Sequence, residues 1–138
     1  RVSGNLLPDW AKRMTLQYLS FDFSEDTEGT GTLEAMASTW PEQVAAVQAE
    51  VVRVLRWAHH AFPGPRGPVA EGGDWDYDLH GVREFTAPER ITFNDATGSL
   101  NVQAGTPGKP RHTLTLLLSG TDAFCDAFRQ RFELDPAV

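Results

Sequence analysis

A single cysteine, Cys125, stands among the 138 residues. It excludes an intramolecular disulfide and any zinc site built on several thiolates. One cysteine also fits a reducing compartment, so a cytoplasmic location is expected. Long apolar runs are missing too. The longest, Leu116-Leu117-Leu118, falls far short of the roughly 20 residues that a membrane helix needs. No signal-peptide pattern is visible, and no membrane partner is expected. Basic charge is scarce: 12 Lys and Arg stand against 19 Asp and Glu, a net charge of −7. A polyanion binds through many Lys and Arg contacts, so nucleic acid is excluded as a general partner.

Catalytic motifs are lacking as well. Ser119-Gly120 has no flanking Gly-x-Ser-x-Gly elbow. Gly29-Thr30-Gly31 and Gly72-Gly73 lack the Lys-Ser/Thr that completes a phosphate loop. The four histidines, His59, His60, His80 and His112, include no pair four apart on a helix. No catalytic residue is assigned and no cofactor is implied. What is present is ordinary for a soluble acidic protein: 41% apolar and 22% charged residues, enough to fill a core.

The pattern along the chain predicts eight elements. Met14 directly precedes the first strand pattern, so residues 1–14 are read as an N-terminal arm and residues 15–138 as one domain. Leu6, Leu7 and Trp10 are the arm's apolar residues. Thr15 to Phe23 alternates as a strand, with Leu19, Phe21 and Phe23 on one face. Ser24 to Gly31 is a hairpin loop, and Thr32 to Ser38 returns with Leu33, Ala35 and Ala37 on one face. Thr39-Trp40-Pro41-Glu42 reads as a capping box. The helix it opens runs to about Ala61, with an apolar stripe of Val44, Val47, Val51, Leu55, Ala58 and Phe62. Three prolines between Pro63 and Pro68 end it, and residues 63–73 connect two halves.

Strands follow from Asp74 towards Phe85, at Ile91–Asn94, at Ser99–Ala104 and at His112–Ser119, each joined by short turns. Gly81, inside the first of these, signals a bulge or a close backbone approach. Thr121 caps a last helix that places Phe124, Phe128 and Phe132 on one face and ends near Leu134. Cys125 lies in its first turn and reads as a buried packing residue. The order is β-β-α-β-β-β-β-α. Short connections make the strands antiparallel, and two amphipathic helices need one sheet face. The fold class is therefore α+β, a two-layer sandwich with a ferredoxin-like variant among its forms.

Gly72-Gly73-Asp74-Trp75-Asp76-Tyr77-Asp78-Leu79-His80 carries the most unusual chemistry. On a strand it puts Asp74, Asp76, Asp78 and His80 on one face and Trp75, Tyr77 and Leu79 on the other. Crowded carboxylates call for solvent, a cationic partner or a metal. Carboxylates two apart on a strand stand roughly 6–7 Å apart, so a cation would take one or two of them plus groups from elsewhere, such as His112. A solvated face is the simpler reading. Trp57 falls off the expected stripe, so Trp57, His60 and Arg53 form a candidate interaction surface, the alternative being that Leu6, Leu7 and Trp10 of the arm cover Trp57. The first functional reading is a non-catalytic module acting through protein contacts, with itself or another protein. The alternative is a small-molecule or divalent-metal site on the Asp74/Asp76/Asp78/His80 face, with enzymatic activity as an extension of it.

Overall fold

Strict alternation sets the centre of the sheet. In strand β2 (Gly31–Thr39), Gly31, Leu33, Ala35, Ala37 and Thr39 are buried, while Glu34, Met36 and Ser38 are exposed. The computed structural model describes residues 14–132. The expected arm, Met14 apart, and the expected end of the last helix at Leu134 lie outside the described residues. Strand β1 (Phe21–Glu25) pairs antiparallel with β2, and β2 pairs with the last strand, β6 (Arg111–Gly120). Strand β3 (Trp75–Glu84) pairs antiparallel with the other side of β6. The sheet order is β1-β2-β6-β3. Strands β2 and β3 therefore run parallel with β6 between them, and helix α1 (Val44–Ala61) connects them. This is a split βαβ unit of the ferredoxin-like kind, with its extra edge strand, β1, supplied from the N-terminal side.

Opposed residues share a face, so the register divides the sheet cleanly. Rows on the helix side run Gly31–Gly120–Trp75, Leu33–Leu118–Tyr77, Ala35–Leu116–Leu79, Ala37–Leu114–Gly81 and Thr39–His112–Arg83. The first three rows supply Leu33, Ala35, Leu116, Leu118 and Trp75 to the core. Helix α2 (Asp122–Arg131) adds Phe124, Cys125 and Phe128. The Gly31–Gly120 pair is what lets α2 sit so close. A Cβ on Gly31 would stand 2.5 Å from the Cys125 sulfur, and one on Gly120 2.5 Å from the Phe124 ring. Phe124 then stacks flat on Trp75, centroids 5.5 Å apart, and the indole N–H of Trp75 donates to the Phe62 carbonyl at 3.2 Å. The two-layer α+β sandwich and the element order agree with the sequence reading.

Two local expectations change. The first strand is shorter and later than Thr15–Phe23, because Gln17, Tyr18 and Leu19 use their backbone N–H groups differently. The carboxylate of Glu50, on α1, accepts the N–H groups of Gln17 at 2.7 Å, Tyr18 at 3.0 Å and Leu19 at 3.0 Å. Those donors are unavailable to a β-ladder. The start of α1 also differs. Thr39 ends β2 and is buried, while the Trp40 N–H donates to the Gln43 side chain at 3.1 Å. Glu42, expected as the capping acid, instead pairs with Lys109 at 2.8 Å, and this pairing lowers its pKa.

Strands β4 (Glu89–Asn94) and β5 (Ser99–Ala104) form a separate two-stranded sheet. They prolong the β3–β6 pair outward. Gly108 N–H donates to the Thr86 carbonyl at 3.0 Å and Gly105 N–H to the Pro88 carbonyl at 2.7 Å, which carries the pairing across the gap. Glu84 faces Arg111 and Glu89 faces Ala104, so the outgoing side advances five residues (84 to 89) while the returning side uses seven (104 to 111). Two extra residues on one side bend a ribbon, as a bulge does. At the tip, Gly98 takes a φ of 69° and Asn94 accepts the N–H groups of Ala96 and Thr97, closing the hairpin.

Candidate functional site

The acidic row is flat. Asp76, Asp78 and His80 lie on the sheet face that carries no helix, opposite Ser119, Leu117 and Thr115. Asp76 accepts from Arg66 at 3.2 Å and from the Tyr77 N–H at 2.9 Å. Asp74 precedes the strand. Its backbone joins Pro65 and Thr121, and its carboxylate lies against Gly64. His112 stands on the opposite face, between Thr39 and Arg83. The sheet therefore separates His112 from Asp78 and His80. Among the described residues, no three His, Cys, Asp or Glu side chains gather as a metal-holding group.

Trp57 is corrected from a surface residue to a core one. It is 7% exposed and packs between the rings of Phe62, Phe124, Phe128 and Phe132, with centroids 5.5–6.2 Å away. The side of α1 that is buried carries Val47, Glu50, Val51, Val54, Trp57 and Ala58. At 100° per residue this arc is turned about 60° from the expected stripe, because α1 packs on α2 as well as on the sheet. Arg53 and His60 are exposed, and without Trp57 they form no apolar surface. Cys125 is buried, and burial pushes its thiol up to about 11, in keeping with a packing role.

Two features stand out that residue type alone did not single out. The first is the ribbon. Every residue from 78 to 109 is exposed. Ile91 opposes Val102 and Phe93 opposes Leu100, making an apolar quartet on one face, with Glu89 opposite Ala104 at its base end. Arg90, Thr92 and Asn94 oppose Gln103, Asn101 and Ser99 on the other, wholly polar face. The four apolar side chains are 52–65% exposed, and Phe85 near the base is 57% exposed. The base itself is held. Lys109 reaches Glu42, and Arg111 donates to the Ser38 hydroxyl and carbonyl at 2.9 Å while its guanidinium lies 4.7 Å over the Trp40 ring. The alternation of Ile91, Phe93, Leu100 and Val102 is legible in sequence; its lack of a cover is not.

The second feature is a cleft of about 200 Å³ where the N-terminal half of α1 meets the end of the sheet. Its floor is the Ala37–Leu114–Gly81 row and its helix wall is Val44 and Val47. Gln48, Thr39, His112 and Arg83 supply its polar groups. Of these only His112 is a candidate site residue by sequence. No family model, curated protein or solved structure matches this chain.

Proposed function

We propose that the protein is a self-associating module, in which the β4–β5 ribbon of one copy packs its apolar face on that of a second copy. The amphipathic ribbon carries this reading. Strict alternation of apolar and polar residues suits a sheet with one face covered. A two-stranded hairpin is marginal in water unless something packs on it. Within the described residues nothing covers this face.

A second copy fits by shape and by charge. Two ribbons stacked face to face make a four-stranded sandwich about 10 Å thick, apolar inside and polar outside. A two-fold axis through the quartet sets Phe93 and Leu100 of one copy on Ile91 and Val102 of the other. Charge favours a like partner over an oppositely charged one. The ribbon, residues 89–104, holds Arg90 against Glu89 and Asp95, a net charge of −1. Most of the net charge of −7 thus lies outside the ribbon, where it does not oppose its pairing.

Sedimentation velocity tests the reading. The patch is smaller than a standard interface, so a dissociation constant on the order of micromolar is expected. The chain should sediment as a dimer at high concentration and dissociate on dilution. A monomer across the series, up to several hundred micromolar, would contradict it.

A further inference from the structure

We infer that the cleft beside Gly81 binds a small carboxylate with a short aliphatic body. Gly81 is the starting point. Glycine inside a strand weakens it, and its usual reasons are a bulge, a positive φ or a close backbone approach. None applies within the chain. The pairing runs unbroken through Leu79–Leu116, Gly81–Leu114 and Arg83–His112. Gly81 is absent from the positive-φ glycines, and a Cβ built on it meets nothing within 4 Å. The missing side chain therefore leaves open space on the sheet, and that space is the cleft. Gly81 makes room for a body that is not part of this chain.

The lining says what kind of body. Val44, Val47 and Leu114 offer an aliphatic wall and floor. Arg83 and His112 face each other across neighbouring strands at one end. The Arg83 guanidinium lies 5.4 Å from the centre of the Phe85 ring, which steadies it. Arg83 takes part in none of the ion pairs among the described residues. Its planar fork matches a carboxylate bidentately, and Gln48 adds an amide donor. A liquid water takes about 30 Å³, so the cleft has room for roughly six heavy atoms. That is the size of a short branched-chain acid. The site is independent of the apolar face of the ribbon.

The test is an NMR titration of the intact chain with isovalerate, beside isovaleramide and isopentylamine as neutral and cationic controls. Isovalerate at tens of millimolar should shift the amide signals of Gly81, Leu114 and Val47, and the amine should not. Arg83→Leu should weaken binding about tenfold. Gly81→Val, which fills the cleft and suits a strand, should abolish binding while the melting temperature holds or rises; Gly81→Ala should weaken it. No isovalerate-dependent shifts, or equal binding by Gly81→Val, would overturn the assignment. A change of sedimentation on Gly81→Val, with no isovalerate shifts in the parent, would place Gly81 in the contact between copies and overturn it equally.

Discussion

Replacing Glu50 by alanine is expected to destabilise the fold by about 3–4 kcal/mol, a large part of the ~5–15 kcal/mol that holds a domain together. Glu50 is 3% exposed and sits in the middle of α1. Three consecutive backbone N–H groups, from Gln17, Tyr18 and Leu19, converge on its two oxygens. The Tyr18 N–H is shared between them, at 3.0 and 3.2 Å. This carboxylate ties the segment before β1 to the helix and seats Leu19, itself 4% exposed, in the core. Alanine leaves the donors without a partner, at about 1–3 kcal/mol for a buried one and less where water reaches. Glu50→Gln keeps one acceptor oxygen and the shape, so about half the loss is expected. Urea denaturation reads both. A loss below about 1 kcal/mol for Glu50→Ala would show that the carboxylate does not hold the segment.

The same residue explains what the sequence conceals. A glutamate in a helix pattern reads as a marker of the solvent side. Glu50 is buried, so the expected stripe turned away from it and carried Trp57 to the surface. Its partners lie more than 30 residues away, so no local signal warned that Gln17, Tyr18 and Leu19 would serve a carboxylate instead of a ladder. Where the periodic face and the buried face coincide, the reading was sound. Leu33, Ala35 and Ala37 in β2, Leu116 and Leu118 in β6, and Phe124 and Phe128 in α2 are all core. Alternation also placed Asp76, Asp78 and His80 together on β3. Alternation cannot say which strand lies next to which. The insertion of β6 between β2 and β3 put His112 on the far face from them and beside Arg83. The ribbon shows the same limit, since a period of two reveals an apolar face and not what covers it.

Phe93→Asp is expected to weaken self-association about a thousandfold. Phe93 is 62% exposed in the single chain, so the change alters the folding stability of the dilute protein by no more than about 0.5 kcal/mol. In the pair it counts twice, because a two-fold contact uses the same residue from each copy. Loss of the ring's burial and desolvation of a carboxylate together cost about 2 kcal/mol per copy, or about 4 kcal/mol per pair. At 1.4 kcal/mol per factor of ten, that carries a micromolar dissociation constant to millimolar. Thr92→Asp, on the polar face of the same strand, should leave association within a few fold. Sedimentation equilibrium on the three proteins, with urea denaturation of dilute samples, separates a lost contact from a damaged fold. Equal association by the parent and Phe93→Asp would remove the apolar quartet from the interface.

Hydrogen exchange as a function of protein concentration tests the ribbon contact most directly, because it reports where copies meet as well as whether they do. The amides of Glu89–Asn94 and Ser99–Ala104 are expected to exchange quickly in dilute protein and to slow as concentration rises. Those of Leu116 and Leu118 in the core should be slow throughout and indifferent to concentration. Ribbon amides that exchange at one rate at every concentration, or protection that grows along the free edge of β3 instead, would contradict the account.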